Sequence, residues 1–181
     1  MNVVTRGSML SAEELRRAFD GAFAAPSEGR RRDLEPLLTL RIASAAYAVR
    51  VLDIAGFATA RRIVPLTSAL PAMLGLTAVR GSLFPVYSLD ALLGDEAATE
   101  PPQWFLLCGH ADPVALAFAR FEGHVLLSPS ERLAVNAGDG QRKHVRELVR
   151  VADEVRGVID VSSLVELIQE RVSASRPIKE R

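Results

Sequence analysis

The side chains able to do chemistry are few and scattered in this 181-residue chain. There are three histidines, His110, His124 and His144, and one cysteine, Cys108. His144 and Glu147 share a spacing that could face one way on a helix, but a metal site needs more ligands and none stand near. His110 and His124 fall in stretches that read as turns. A lone cysteine excludes an intramolecular disulfide and a cysteine-rich zinc site. Within the run Trp104-Phe-Leu-Leu-Cys108 it reads as a small buried hydrophobe. No Gly-x-Ser-x-Gly elbow is present, so an α/β-hydrolase triad is unsupported. Gly138-Asp-Gly-Gln-Arg-Lys143 looks superficially like a phosphate loop. It lacks the glycine spacing and the Ser/Thr after the lysine, and reads as a polar loop. No dinucleotide fingerprint occurs. Catalysis needs convergent titratable groups, and the chain offers few. The expectation is a non-enzymatic binding module with no cofactor and no metal.

Composition narrows the partners. Twenty-two basic residues balance twenty-two acids, and the hydrophobic fraction is 49%. Nucleic-acid binders carry a basic excess because phosphate neutralisation supplies most of their affinity, so no nucleic acid is expected. The length suffices for one large domain or two small ones. No apolar stretch reaches the ~18 residues needed to span a bilayer, so no direct membrane insertion is expected. Glu13, Glu14, Arg16 and Arg17 stand where the apolar region of a signal peptide would be, which points to the cytoplasm.

Residues 1–36 read as a helical extension and linker. Ser11-Ala-Glu-Glu14 has capping-box spacing, and Leu10 and Leu15 occupy staple positions. Leu15, Ala18, Phe19, Ala22 and Phe23 follow at helical spacing. Beyond the polar linker Ser27–Asp33 the pattern turns to strands. Leu38, Leu40 and Ile42 alternate with polar residues, and Tyr47, Val49, Val51 and Ile54 continue the series. Arg61–Pro65 reads as a short strand closed by proline. Met73–Val79 and Ser82–Tyr87 read as two strands joined by a tight turn at Arg80-Gly81, where glycine supplies the backbone freedom. Ser88 reads as the N-cap of a short helix that turns Leu89, Leu92 and Leu93 inward. After the acidic connector Gly94–Pro102, strands are expected at Phe105–Cys108, Val114–Phe118, Val125–Leu127 and Leu148–Val151. A closing helix is expected from Val161, and residues 171–181 read as a polar, frayed tail.

The two halves resemble each other. A shift of 72 places Leu76 on Leu148, Val79 on Val151, Leu83 on Val155 and Val86 on Val158. The same shift places Ser88 on Asp160, so two good N-cap residues coincide. A shift of 67 places Tyr47 on Val114, Val49 on Leu116 and Val51 on Phe118. The expectation is two similar small barrels sharing one interface, with a groove between them for a partner.

At Leu74–Gly94 the run Gly75-Leu-Thr-Ala-Val-Arg80-Gly81-Ser-Leu-Phe-Pro85-Val86 resembles the central motif of the CheW-like family. That motif is a glycine, a strand ending Asn-Leu-Arg-Gly, then Pro-Val-x-Asp-Leu. Tyr47-Ala-Val49, Arg62-Ile-Val-Pro65, Val114–Phe121 and Val145–Leu167 are similar to its other segments, so the resemblance covers about residues 37–170. It implies an all-β fold of two SH3-like five-stranded barrels with a C-terminal helix, to which this chain adds an N-terminal helix. It also implies a non-enzymatic adaptor joining the chemoreceptor cytoplasmic tip to the regulatory domain of the histidine kinase CheA. The implied receptor groove falls on Ile54, Gly75, Val79, Arg80 and Gly81. Small and apolar residues there would let a helical hairpin approach closely. The sequence departs from the family at Gly56, where a glutamate usually pairs with the turn arginine, and at Ala78, Ser88, Asp90 and Ala119. Arg80 is therefore expected to lack its usual partner. Two other readings stay open: a diverged adaptor that binds receptor only, and a small-ligand-binding or catalytic β-barrel with His110 or His124 in a deep polar pocket.

Overall fold

The computed structural model describes residues 34–94, 100–109, 112–133 and 143–174. The expected N-terminal helix lies outside them, as do His110 and residues 138–142 of the polar loop. The described chain is mostly β. The first half supplies β1 (Glu35–Ile42), β2 (Ala45–Arg50), β3 (Gly56–Thr59), β4 (Met73–Val79), β5 (Ser82–Ser88) and the short helix α1 (Leu89–Leu93). The second supplies β6 (Trp104–Cys108), β7 (Val114–Phe118), β8 (Arg120–Leu127), β9 (Arg132–Leu133), β10 (Val145–Val151), β11 (Glu154–Ile159) and α2 (Val161–Ala174).

The repeat is visible element by element. A shift of 72 carries the bounds of β4 onto those of β10, and the first residue of β5, and of α1, onto the first of β11, and of α2. Ser88 caps α1, its Oγ accepting from the Ala91 amide at 3.3 Å, and Gly94 closes it at φ 79°. Asp160 does the same work for α2, accepting from the Ser163 amide at 3.1 Å.

Strand pairing corrects the expectation of one barrel per half. The strands form two sheets, ordered β8-β1-β2-β11-β10-β9 and β3-β6-β7-β5-β4. Each sheet takes strands from both halves. The leading hairpin of one half, β1–β2, pairs in parallel with the closing hairpin of the other through β2 and β11. In the same way β7 pairs in parallel with β5. The far edges also match: Leu76 of β4 bridges Val64, and Leu148 of β10 pairs with Leu133 of β9. Three smaller readings change as well. The Arg61–Pro65 segment contributes a single bridge rather than a strand, His124 lies within β8 rather than a turn, and α2 runs on to Ala174.

Alternation along the strands sorts the apolar side chains into three clusters. Leu37, Ala48, Leu127, Val149 and Val158 fill the inner face of the first sheet. Val79, Val86, Phe105, Ala115 and Ala117 fill that of the second. The intervening residues of the same strands, among them Leu38, Leu40, Tyr47, Val49, Leu106, Leu116 and Phe118, form a larger cluster between the sheets. Helices α1 and α2 close over it with Leu89, Leu92, Leu164 and Ile168. All five residues of β7 are buried because both of its faces meet apolar layers.

The inner face of the first sheet also carries charge. Arg41 shares the face of Leu37 and Thr39, and Glu154 and Arg156 share that of Val158. With Glu122 of β8 they close a four-membered ring. Arg41 bonds Glu122 at 2.7 Å and Glu154 at 2.9 Å, and Arg156 donates to both Glu122 and Glu154. Farther along, Arg50 bonds Glu35 and Glu147, and Glu35 also takes Arg132 at 2.6 Å. The shift of 72 carries Glu154 and Arg156 onto Ser82 and Phe84, so the second sheet is apolar where the first is ionic.

Candidate functional site

Among the described residues, those first singled out for chemistry do not converge. Among the described residues no group of three or more His, Cys, Asp or Glu could hold a metal ion. His124 is exposed on β8. His144 is half-buried, and its Nδ1 lies 2.7 Å from Ser163 Oγ at the start of α2. Burial, with Lys143 and Arg171 nearby, holds this imidazole below its usual range against the pull of Asp160. Cys108 is fully buried, and burial, followed by the charge of Asp53, pushes its thiol up to about 12. Such a thiol is a packing residue and not a nucleophile. A cleft of about 190 Å³ opens between Pro71, Ser88, Asp90, Glu100 and Phe118. No histidine lines it among the described residues, and it is smaller than the ~300–1,000 Å³ of an ordinary ligand pocket.

The five residues assigned to the partner groove divide into two kinds. Arg80 and Gly81 are exposed at the tip of the β4–β5 hairpin. Both have positive φ, +52° and +83°, the signature of the type I′ turn that matches strand twist. Ile54 is half-buried just before β3 and packs on the cluster between the sheets. Gly75 and Val79 correct the expectation. Val79 is only 4% exposed and belongs to the inner cluster of the second sheet, because strand alternation turns it inward with Thr77. Gly75 is buried at φ +142°, and a Cβ there would lie 2.1 Å from the Val64 carbonyl oxygen. It is glycine so that the Val64–Leu76 bridge can form, with amide-to-carbonyl bonds of 2.8 and 2.9 Å.

The family departures find structural duties. Ser88 caps α1, and Asp90 is buried within it. Gly56 lies on β3 opposite Leu107, whose Cδ1 would be 3.3 Å from an added Cβ. No ion pair to Arg80 forms among the described residues. Sequence reasoning missed the exposed apolar residues Leu52, at 81%, and Leu83, at 68%. Leu83 was findable, since alternation from the inward Phe84 and Val86 sends it to the outer face.

The match to the family model for the CheW-like domain spans residues 36–169, from β1 to α2. The chain belongs to the CheW-like family. Among solved structures it is similar to the scaffolding protein TtCheW from Thermoanaerobacter tengcongensis, with a TM-score of 0.64 at 12% identity. The alignment covers 74% of this chain and 93% of that one, so the CheW-like fold is shared although few residues are. No match was found among curated proteins. Among the described residues no helix is long and apolar enough to cross a membrane.

Proposed function

We propose that this CheW-like chain is a non-enzymatic cytoplasmic adaptor that couples the chemoreceptor tip to the regulatory domain of the histidine kinase CheA. The observation that carries the reading is the family match from residue 36 to 169, which takes in both sheets and the closing helix. In this reading Ile54, Arg80 and Gly81 touch the receptor hairpin, while Gly75 and Val79 hold the β4–β5 hairpin that presents them. The free Arg80 guanidinium fits a contact with another protein, since its usual internal partner is Gly56 here.

The test is co-sedimentation of the purified chain with receptor-bearing vesicles, with and without the kinase. The adaptor reading expects the chain in the pellet and kinase recruited with it. Ile54→Asp and Arg80→Glu should each release the chain. Failure to pellet with receptor or kinase overturns the reading. The departures at Gly56, Ala78, Ser88 and Asp90 favour one variant of it, an accessory adaptor that binds receptor and recruits no kinase. Pelleting with receptor alone would support that variant.

A further inference from the structure

The outer face of the closing edge of the second sheet combines bare apolar surface with uncompensated positive charge. From Gly56 to Gly94 the chain has four charged residues, Arg61, Arg62, Arg80 and Asp90. Asp90 is buried, whereas the three arginines are exposed. No ion pair to any of the three forms among the described residues. Elsewhere Arg41, Arg50, Arg120, Arg132, Arg146 and Arg156 have carboxylate partners, whereas the isolated Arg150 on β10 has no ion pair among the described residues.

Strand register brings Arg62 onto an apolar face that ends at the turn residue Arg80. Val64 bridges Leu76, and Leu76 pairs with Pro85, which makes one row. Two residues along, the Arg62 carbonyl accepts from Thr77 Oγ1 at 3.1 Å, which holds Arg62 alongside the Thr77–Ala78 stretch of β4. Ala78 pairs with Leu83, which makes the second row. Cross-strand pairs share a face, so both rows point outward while Ile63, Thr77, Val79 and Phe84 point in. Val64 is 54% exposed and Leu83 68%. Leu66, at 44%, extends the surface beyond Val64, and Arg80 stands at its other end, in the turn.

We infer that this face docks an acidic amphipathic helix of a partner protein, its apolar stripe on Val64, Ala78 and Leu83 and its flanking carboxylates on Arg62 and Arg80. Charge complementarity selects the acidic partner, because these cations have no counter-charge among the described residues. The edge chemistry selects a helix over an added strand. Pro65 has no amide hydrogen to offer, so the exposed edge of the closing segment is a poor template for pairing. A helix engages by side chains alone and needs no free edge. The surface shares the turn residue Arg80 with the receptor contact proposed above, but not Ile54.

The probe is a pair of synthetic amphipathic peptides with the same leucine stripe, one flanked by glutamates and one by lysines. Each is titrated into the full chain and followed by fluorescence anisotropy. The glutamate peptide should bind and weaken as salt rises, and the lysine peptide should not bind. The single variants Arg62→Glu and Leu83→Ser should each weaken binding by about tenfold or more. Ile54→Asp should leave it unchanged. All these positions but Ile54 are exposed, and circular dichroism checks that each variant is folded. Equal binding of the two peptides, no binding of the acidic one, or loss on Ile54→Asp with retention in the arginine variant would overturn the inference. Loss of receptor co-sedimentation without loss of peptide binding would count against the adaptor reading alone.

Discussion

Glu122→Gln should destabilise the protein far more than its position on an edge strand suggests. Glu122 accepts from both Arg41 and Arg156, and the Arg156 side chain is only 10% exposed. Glutamine keeps the shape and one acceptor but removes the charge. Glu154 must then serve both guanidiniums, one of which is nearly buried. Stranding one partner of a fully buried pair costs about 3–5 kcal/mol, and an exposed pair contributes about 0.2–1 kcal/mol. With side-chain exposures of 25%, 28% and 10% for Arg41, Glu122 and Arg156, the ring sits between these limits. The expected loss is about 2 kcal/mol, which at ~2–4 °C per kcal/mol for a chain of this size lowers Tm by about 6 °C. Thermal unfolding followed by circular dichroism at neutral pH measures it. A cycle with Arg156→Met isolates the pair, because the double variant should be less destabilised than the two single losses combined. Acid should erase the difference. Burial pushes the Glu122 carboxyl up, but hydrogen bonds from Arg156 and Arg41 outweigh it and hold the carboxyl below its ordinary value. A depressed folded value stabilises the protein above the ordinary carboxylate range, and that contribution fades as the pH falls through the folded value. Wild type and Glu122→Gln should therefore converge in acid. Additive single losses, or a gap that persists at low pH, would refute the reasoning. Arg120→Gln offers a contrast, since its pair with Glu100 is exposed and its loss should leave Tm unchanged.

Two further outcomes follow from packing. Gly75→Ala should cost about 3 kcal/mol or more, because the methyl group meets the Val64 carbonyl and the residue must hold a positive φ. Hydrogen exchange would show it first at the Val64 and Leu76 amides, and unchanged protection there would count against the close-approach account. Cys108 should resist iodoacetamide at mildly alkaline pH until denaturant opens the fold, given a buried thiol with its pKa near 12. Rapid native-state labelling would contradict its placement.

Local features of this fold were legible in sequence because local chemistry sets them. Ser88 before an apolar trio announced α1, and Arg80-Gly81 between alternating runs announced a hairpin. The repeat was legible too, since paired caps and paired strand-to-helix order recur at a fixed shift. Strand partnership was not. Tyr47 and Gly157 pair across the chain, and no local pattern says that β2 belongs with β11 and not with β5. The ionic ring was hidden for the same reason. Arg41, Glu122 and Arg156 look like solvent-facing residues until register puts them on one inner face. Val79 was assigned to a partner because motif position outweighed alternation. His124 was read as a turn residue although Phe121, Gly123 and Val125 mark a strand around it.

The exchange of strands between halves bears on how the chain is made. During synthesis β1 and β2 emerge early, but their parallel neighbour β11 is not complete until residue 159 has been added. The first sheet thus waits through most of translation with the backbone edge of β2 unpaired, and so many distant pairings make for slow closure. A product cut off after α1 would lack a strand partner in both sheets, not merely one missing barrel. Such fragments are natural clients for chaperones and proteases. For the same reason, two separately expressed halves should find each other, because neither can finish a sheet alone.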